Sequence, residues 1–426
     1  MIVITLIFFT LCLNLFGQNF THYTTENSSL PSNYVQAIYV DHNNNKWIGT
    51  DKGLAMFNDD NWIVYDTTDN LSSTNISEIV FELTSYGPEV WLATPAGVSV
   101  AAFDIDGITS ATYYNSSNSG LMEDSIIAIS VDSSHNRWYG TSRYLSSFTG
   151  NVWDSTNLDG FLEQNPVMTI SSGIDGWNFV GTKGGGVARV KRDEVDGITS
   201  ASAYDIDWSG LLSNNIYASY IDKDGNQWYG TDAGAAFHEG TNTKSGWTTY
   251  ESSDSTLIDN FVEVIEGDNS SGIWFGTPSG ASYFNGEKWN SYTVNEGLIS
   301  NNILDIETDK NGFVWFATSQ GISVFDKKSV DVGFVNQLTG RLMKIYPNPA
   351  TDKITIEYKM PESQIAKIQL FNLQSQVVAS IYTGFKPKGN HIATLDLSNI
   401  GIDYGIYFVK INAGLHVSTQ KIVFVQ

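Results

Sequence analysis

The chain has 426 residues, of which 13% are aromatic and 16% charged, and its formal net charge is −23. Residues 1–340 carry 14 basic and 41 acidic side chains, a balance of −27, whereas residues 341–426 carry 9 and 5, a balance of +4. So acidic a surface argues against binding to nucleic acid or to an anionic membrane, and we expect neither. Frequent glycine and aromatic residues favour short strands joined by tight turns.

An apolar run opens the chain. Residues 1–17 are rich in Ile, Leu and Phe and end at the small residue Gly17. The run is too short for a stable membrane span, so we interpret it as a secretory signal peptide, although it lacks basic residues at its start. A membrane anchor is the alternative. After removal of the peptide we expect no integral membrane segment and no cysteine.

A repeated motif occupies residues 18–328. Its core is an aromatic residue, an apolar residue, Gly or Ala, and then Thr, as in Trp47-Ile48-Gly49-Thr50. The threonines are separated by 44, 47, 41, 49, 46 and 41 residues, and they are Thr50, Thr94, Thr141, Thr182, Thr231, Thr277 and Thr318. A period of this length is typical of the blades of a β-propeller.

Each unit has the signals of four strands. A leucine that we expect in the core marks the start of each unit: Leu30, Leu71, Leu121, Leu162, Leu211, Leu257 and Leu298. A β-branched strand, an Asp/Asn/Gly turn, the strand ending in Thr, a Gly turn and a third strand follow. The fourth strand is marked by Trp-x-x-Tyr, as in Trp62 to Tyr65.

The seventh unit lacks its own fourth strand. A matching segment, Phe20-Thr21-His22-Tyr23, lies just before the first unit. The sequence therefore predicts an all-β, seven-bladed β-propeller that is closed by the N-terminal strand, because closure removes unpaired sheet edges.

Small residues recur at two positions of each unit. Glycine comes three residues after Thr in six units, where we expect the positive φ of a tight turn: Gly53, Gly97, Gly185, Gly234, Gly280 and Gly321. The residue before each Thr is Gly or Ala, which lets a neighbouring sheet approach closely. Longer, similar connections at 106–112 and 196–202 predict two hairpins on one rim, either duplicates without a role or paired contacts for a partner.

The repeat resembles the two-component regulator propeller repeat. Leu30-Pro31-Ser32-Asn33-Tyr34-Val35 matches its first block, and Trp47-Ile48-Gly49-Thr50-Asp51-Lys52-Gly53-Leu54 matches its second. The propellers of that family are often periplasmic sensor regions of membrane histidine kinases. No kinase sequence is found here, so the resemblance implies the fold without a signalling role.

Two groups of polar residues are candidate sites in the propeller. Asp222, Asp224 and Asn226 are spaced like the start of a calcium loop, but a downstream bidentate Glu is missing and an Asx turn is the alternative. A second group should form a ring at one mouth of the central channel: Asn33, Thr74, Asp124, Asn165, Asn214, Asn260 and Asn301. This ring either binds a ligand or caps the backbone at the start of each first strand.

Residues that depart from the repeat are further candidates for a binding site, because such a site is usually built where repeats differ. They are Asp124, Arg143, Tyr144, Trp177 and Ser219. No spaced metal ligands, phosphate loop or nucleophile elbow is found, so we predict no cofactor and no catalytic residues.

The C-terminal part has a different composition. Residues 329–341 are interpreted as a linker, and residues 342–426 alternate apolar and polar side chains over short strands, which predicts a small antiparallel β-sandwich. The motif Tyr346-Pro347-Asn348-Pro349, the strand with Gly405, Tyr407 and Lys410, and the basic-apolar end at Lys421 resemble the type A C-terminal sorting domain of type IX secretion substrates of Bacteroidetes. An ordinary fibronectin-like accessory domain is the alternative.

The two resemblances together favour an exported protein. The sorting domain implies the type IX secretion machinery as a partner, and passage through the periplasm to the outer cell surface or the medium. We expect a monomer that binds an extracellular glycan or protein and is not an enzyme. The alternative is a secreted polysaccharide lyase or hydrolase, and a cluster of unrepeated His, Tyr, Arg and carboxylate groups at a channel mouth would favour it.

Overall fold

The computed structural model describes residues 20–425, except for 59–60, 85–86, 105–106, 151, 194–195, 208, 241–245, 254–256, 269–270, 328–342, 361–362, 373–376 and 414–415. The predicted signal peptide and linker lie outside the described residues. The chain divides into two compact units, Met1–Ser329 and Val330–Gln426. None of the helices that the structure describes is long and apolar enough to cross a membrane.

The first unit is built from four-stranded antiparallel sheets, which we number 1 to 7 along the chain. Their first strands are Val35–Val40, Glu78–Thr84, Ala128–Val131, Val167–Ser172, Ile216–Ile221, Val264–Gly267 and Ile303–Thr308. Their second strands are Lys46–Thr50, Gly87–Thr94, Arg137–Gly140, Asn178–Thr182, Gln227–Thr231, Ile273–Thr277 and Phe313–Thr318. Their third strands are Gly53–Phe57, Gly97–Asp104, Leu145–Thr149, Val187–Asp193, Ala235–His238, Gly280–Phe284 and Gly321–Asp326.

Fourth strands complete the sheets. Those of sheets 1 to 6 are Trp62–Tyr65, Gly107–Tyr114, Val152–Thr156, Gly197–Tyr204, Trp247–Tyr250 and Trp289–Tyr292. In sheet 7 this place is taken by Phe20–Tyr23, which pairs antiparallel with Gly321–Asp326. Two short 3-10 helices, Thr67–Asp69 and Phe161–Glu163, lie in connections between sheets.

Each repeated threonine fastens the turn between the second and third strands. The hydroxyl of Thr50 donates a hydrogen bond to the carbonyl of Gly53 at 2.8 Å, and the other six threonines make the corresponding bond. Gly53 has a φ of 149°, as predicted for this turn. In sheet 4 the turn is one residue longer. There Gly186, not the predicted Gly185, accepts the threonine bond and has positive φ.

The small residue before each threonine lies against the next sheet. A Cβ atom added to Gly49 would come within 2.8 Å of the Ile76 side chain, and one added to Gly276 would come equally close to Ile303. Ile76 also donates its backbone N–H to the carbonyl of Thr50 at 2.9 Å. The predicted close approach of neighbouring sheets is therefore confirmed, and any larger side chain would separate them.

First strands of consecutive sheets contact one another along the whole series, and Val35–Val40 of sheet 1 also contacts Ile303–Thr308 of sheet 7. The seven predicted core leucines are all buried: Leu30, Leu71, Leu121, Leu162, Leu211, Leu257 and Leu298. Separate apolar clusters lie between adjacent sheets, and one of them combines residues of sheets 1 and 7. The core is therefore divided among the sheet interfaces.

The two longer connections belong to lengthened hairpins of sheets 2 and 4, as predicted, in which the third and fourth strands pair antiparallel. Their residues form the beginnings of the fourth strands Gly107–Tyr114 and Gly197–Tyr204, which pair with the lengthened third strands of sheets 2 and 4. The additional residues extend the existing strand pair because their alternating pattern continues the ladder.

The second unit contains two antiparallel sheets. One has the order Met343–Tyr346, Lys353–Met360 and Gly389–Asp396, and the other has the order Val377–Lys386, Gln364–Phe371, Gly405–Ala413 and His416–Phe424. Side chains of both sheets, among them Ile356 and Leu370, form one buried cluster. Each of the two sheets therefore buries the face that points towards this shared core.

Candidate functional site

A tryptophan–aspartate hydrogen bond recurs in the repeat. In three sheets the indole N–H donates to the aspartate six residues earlier, at distances of 3.1, 2.9 and 3.3 Å: Trp47 to Asp41, Trp138 to Asp132, and Trp315 to Asp309. The aspartate also accepts bonds from the backbone N–H groups of the turn between the first and second strands. The bond thus satisfies a buried indole and holds the turn.

Sheets 5 and 6 contain the same residue pair without the bond. Trp228 stands six residues after Asp222, and Trp274 stands six residues after Asp268. Both indole nitrogens are enclosed, and neither donates a hydrogen bond within the part of the chain that the structure describes. The carboxylate of Asp268 instead accepts bonds from Tyr283 and Lys327. Enclosed donors without a protein partner are rare and costly, and in a folded protein such a donor is normally satisfied by water, an ion or a ligand group.

A cavity of about 320 Å³ lies between sheets 5 and 6 at this position. Tyr220, Asp222, Asp224, Trp228 and Asp268 line it. Trp228 is only 6% exposed, and its ring packs against other aromatic rings of the sheet interface. The volume is at the lower end of the range of about 300–1,000 Å³ that is common for small-molecule sites. We call this space the sheet 5–6 cavity.

The sheet 5–6 cavity offers both acceptors and donors. Burial, and then the charges of Glu266 and Asp222, raise the pKa of the Tyr220 hydroxyl, so it keeps its proton and can donate. Asp222 and Asp268 bring carboxylate groups to the lining, and Trp228, which also lines the cavity, carries an enclosed N–H that has no acceptor among the described residues. The arrangement fits a ligand group that both donates and accepts hydrogen bonds.

A second cavity of about 210 Å³ lies on the other side of the same turn, between sheets 4 and 5. Its lining includes Asp175, Arg189 and Tyr204, and Asp224 lines both cavities. The guanidinium of Arg189 donates to Asp175 at 3.2 Å and lies 4.4 Å from the centre of the Trp177 ring. Its enclosed Nε has no hydrogen-bond acceptor among the described residues. We call this space the sheet 4–5 cavity.

Asp222, Asp224 and Asn226, the candidate calcium residues, form an Asx turn. One oxygen of Asp222 accepts the backbone N–H groups of Asp224 and Asn226, both at 2.9 Å, and the other accepts the Asn226 amide. Asp41 and Asp132 make the same contacts in their own turns. No group of three or more His, Cys, Asp or Glu residues is placed to hold a metal ion in the described part of the chain.

Members of the predicted channel-mouth ring hold the loops that precede the first strands. Asn33 accepts the backbone N–H of Thr25 at 2.8 Å, and Asp124, Asn214, Asn260 and Asn301 accept equivalent N–H groups seven or eight residues earlier. Asn165 donates its amide to the carbonyl of Phe161 at 2.7 Å, and Thr74 is half-buried at the corresponding place. Hydrogen bonds to backbone groups are what we expect if these residues cap the backbone and do not bind a ligand.

The residues that depart from the repeat are dispersed. Arg143 pairs with Glu123 at 2.6 Å, and Ser219 bonds to Thr169 at 2.9 Å. Tyr144 accepts the threonine bond of its turn through its carbonyl. Only Trp177, through its contact with Arg189, lies beside one of the two cavities.

Trp228 and Asp268 were missed because their residue types obey the repeat. They differ from the equivalent residues of sheets 1, 3 and 7 in lacking the tryptophan–aspartate hydrogen bond, and the amino-acid sequence does not show whether that bond forms. The nearest sequence signal is Lys327, since a basic residue at the end of sheet 7 can compete for the carboxylate of Asp268.

Carboxyl groups also cluster between the first strands. Asp305 accepts backbone bonds from Ile38 and Ile306, and Glu78 accepts one from Ile129 at 2.7 Å. Burial raises the pKa of Glu78 to about 8 and that of Asp305 to about 7. Burial, followed by mutual repulsion with neighbouring carboxyl groups, also raises the pKa of Glu266 and Glu307. The backbone bonds of Asp305 to Ile38 and of Glu78 to Ile129 each join the first strands of two neighbouring sheets.

The sorting-motif residues of the second unit lie at the edge where its first loop meets its last strand. Asn348 donates to the carbonyl of Lys421 at 2.8 Å and accepts the N–H of Val423 at 2.9 Å. Tyr346 bonds to Glu357, and Pro347 and Pro349 flank Asn348 in the loop. Gly405, Tyr407 and Lys410 lie on the neighbouring strand, and the Tyr407 hydroxyl donates to the backbone carbonyl of Asp403, just before that strand, at 2.8 Å.

Family comparisons agree with both halves of the sequence interpretation. Residues 344–426 match the model of the secretion system C-terminal sorting domain. The predicted type IX sorting domain is confirmed. Residues 29–52 and 297–320 match the model of the two component regulator propeller. The chain is a secreted or cell-surface protein with a β-propeller, as predicted.

Solved structures share the fold at low sequence identity. PorZ, a surface component of the type-IX secretion system of Porphyromonas gingivalis, is 14% identical with a TM-score of 0.57 over 93% of this chain. This chain spans 60% of the length of that structure. Streptogramin B lyase is 12% identical with a TM-score of 0.55, over 72% of this chain and 97% of the lyase. The WD40 β-propeller domain of Doa1 is 12% identical with a TM-score of 0.52, over 69% of this chain and 93% of that domain. No curated protein matches the sequence of this chain.

Proposed function

We propose that this protein is an exported recognition module: a closed, seven-bladed β-propeller that binds a glycan outside the cell, followed by a small β-sandwich that directs its export. The observation that carries the proposal is the unmade hydrogen bond of Trp228 beside the sheet 5–6 cavity. We further propose that the protein acts by binding alone and catalyses no reaction.

Contacts between the first and last sheets support a closed ring. Phe20–Tyr23 pairs with the third strand of sheet 7, and Val35–Val40 of sheet 1 contacts Ile303–Thr308. The rings of Tyr23 in sheet 7 and Trp62 in sheet 1, whose centres are 5.4 Å apart, add an aromatic contact at the same junction. A ring closed in this way leaves no first or last sheet with an uncovered face.

Hydrogen-bond chemistry favours a hydroxyl-rich ligand for the sheet 5–6 cavity. A metal ion or an ammonium group would satisfy Asp222 and Asp268, but it would leave the Trp228 N–H without an acceptor. A carboxylate or phosphate would accept from Trp228, but the three aspartates of the lining outnumber its one lysine, Lys223, and disfavour an anion. A hydroxyl group accepts and donates at once, so a neutral glycan meets both requirements.

Local geometry also supports binding without catalysis. The oxygens of Asp222 are engaged by the turn, and those of Asp268 are engaged by Gly272, Tyr283 and Lys327. A general acid or base must be able to reach a substrate proton. Carboxylates already held by several donors are better suited to fixing the orientation of a ligand.

A glycan array probed with the purified protein tests this function, and each bound glycan is then incubated with the protein and analysed for products. We expect binding to neutral glycans without turnover. Product formation would overturn the binding-only function. Capture of a cell-surface protein in the absence of any glycan binding would favour recognition of a protein instead.

A further inference from the structure

The two cavities on either side of the Asp222–Asn226 turn have related linings. Each combines carboxylates, an aromatic side chain and an enclosed N–H that lacks an acceptor among the described residues, Trp228 Nε1 in one and Arg189 Nε in the other. Asp224, which is exposed on the turn, lines both. The cavities are therefore neighbours separated by one exposed carboxylate.

From this we infer that the sheet 4–5 and sheet 5–6 cavities are two adjacent subsites for one linear oligosaccharide, which passes over Asp224. The inference rests on the proposed function and adds to it that the ligand is a chain and that at least two of its sugar units are bound. Asp224 would accept hydroxyl bonds from the units on both sides of the turn.

The sheet 4–5 cavity suits a sugar unit for reasons of its own. Arg189 offers a donor, and Asp175 and Asp224 offer acceptors, so hydroxyl groups can again bond in both directions. Ile174, which is 69% exposed, provides an apolar surface at the same cavity, and the ring of Trp177 lies beneath Arg189. Sugar rings present C–H faces to apolar surfaces and hydroxyl edges to polar groups, which this lining matches.

The arrangement predicts that affinity depends on chain length. A single sugar can occupy only one cavity, whereas a longer chain binds the second cavity without a further loss of translational freedom. The sheet 5–6 cavity is the larger of the two, at about 320 Å³ against about 210 Å³, so we expect it to be the site of the shortest ligand.

Isothermal titration of the purified full chain tests the inference. The ligands are cello-, xylo-, malto- and manno-oligosaccharides of one to six units, and the series that binds is then titrated against variants. We expect affinity to rise by about tenfold or more, or ~1.4 kcal/mol, between one unit and the length that fills both cavities. Affinity should not rise further beyond that length.

Two variants separate the subsites. Arg189→Gln should reduce the affinity of the longer chains about tenfold and leave the shortest ligand unchanged, because it alters only the sheet 4–5 cavity. Trp228→Phe should weaken every length. Arg143→Gln is the matched control, because Arg143 also pairs with a carboxylate and contacts an aromatic ring, but it lines neither cavity. It should bind as the unaltered protein does.

The outcomes distinguish the inference from the proposed function. Binding with equal affinity at all lengths, or an equal loss for Arg189→Gln at every length, would overturn the two-subsite inference and leave glycan recognition intact. If no series binds at any length, glycan recognition itself is overturned, and the inference with it.

Discussion

The carboxylate of Asp305 accepts a hydrogen bond of 2.7 Å from the backbone N–H of Ile38. Asp305 belongs to the first strand of sheet 7, and Ile38 belongs to the first strand of sheet 1, so the bond joins the two ends of the series of sheets. Ile38 is buried, and water cannot easily replace the carboxylate.

Substitution of Asp305 tests the importance of this bond. Asp305→Ala leaves the N–H groups of Ile38 and Ile306 without their acceptor, and we expect the free energy of unfolding at pH 6 to fall by about 1–3 kcal/mol. Asp305→Asn keeps one of the two acceptor oxygens and should therefore lose less stability than Asp305→Ala. Urea unfolding followed by tryptophan fluorescence measures both. An equal loss for the two variants would contradict the account.

The carboxyl groups between the first strands should make stability fall with rising pH. Burial raises the pKa of Glu78 from 4.5 to about 8, so the folded state holds a proton that the unfolded state has released. The stabilisation is complete below about pH 4.5 and is lost as the pH rises towards 8. Melting temperatures at pH 5, 6.5 and 8 should therefore decrease in that order.

Glu78→Gln should make this pH profile flatter, because the amide does not titrate. The exposed residue Glu26 serves as a control, and Glu26→Gln should leave the profile unchanged. A melting temperature that rises from pH 5 to pH 8 would contradict the assigned direction of the pKa shifts.

The N-terminal strand should contribute strongly to the stability of the first unit. Phe20 is 7% exposed, and the centre of its ring is 4.9 Å from that of Phe325. Phe20→Ala removes this buried ring, and we expect a loss of about 3–5 kcal/mol in the free energy of unfolding. Thr21→Ala on the exposed face of the same strand is the control and should change stability little. A small loss for Phe20→Ala would contradict the role of this strand in closing sheet 7.

Export should depend on the loop around Asn348. Asn348→Ala removes two hydrogen bonds between this loop and the last strand, and we expect the variant to accumulate in the periplasm, as should a chain that lacks residues 342–426. Cell fractionation followed by immunoblotting measures this distribution. Thr351→Ala in the same loop, which keeps both bonds, is the control. Normal surface delivery of the truncated chain would refute the sorting role.

The repeat allowed much of the first unit to be predicted. Its threonines, core leucines and glycines occupy equivalent positions because each has a local structural role. Thr50 fastens a turn, Leu30 fills a sheet interface, and Gly49 admits the neighbouring sheet. Such roles depend on residue type and spacing, which a sequence displays directly. The longer turn at Gly186 was not foreseen, because three consecutive glycines leave the turn position ambiguous.

The candidate site could not be predicted in the same way. Trp228 and Asp222 have the identities and the spacing of Trp47 and Asp41, and only the geometry separates a made bond from an unmade one. Residues that break the repeat, such as Arg143, proved to be locally paired on the surface. The site depends on how sheets 5 and 6 pack against each other, which is a property of segments distant in the sequence.

A comparison of two tryptophan variants tests the central claim most directly. Trp138 donates to Asp132 at 2.9 Å, whereas the equivalent bond of Trp228 is unmade. Trp138→Phe should therefore lower stability, by about 1–3 kcal/mol, and leave glycan affinity unchanged. Trp228→Phe loses no internal hydrogen bond and should leave stability closer to that of the unaltered protein.

The decisive measurement is the affinity of Trp228→Phe for the neutral oligosaccharide that binds the unaltered protein best, determined by isothermal titration. We predict a loss of about tenfold, or ~1.4 kcal/mol, because the indole N–H would no longer donate to the ligand. Unchanged affinity in a folded Trp228→Phe protein would contradict recognition at the sheet 5–6 cavity.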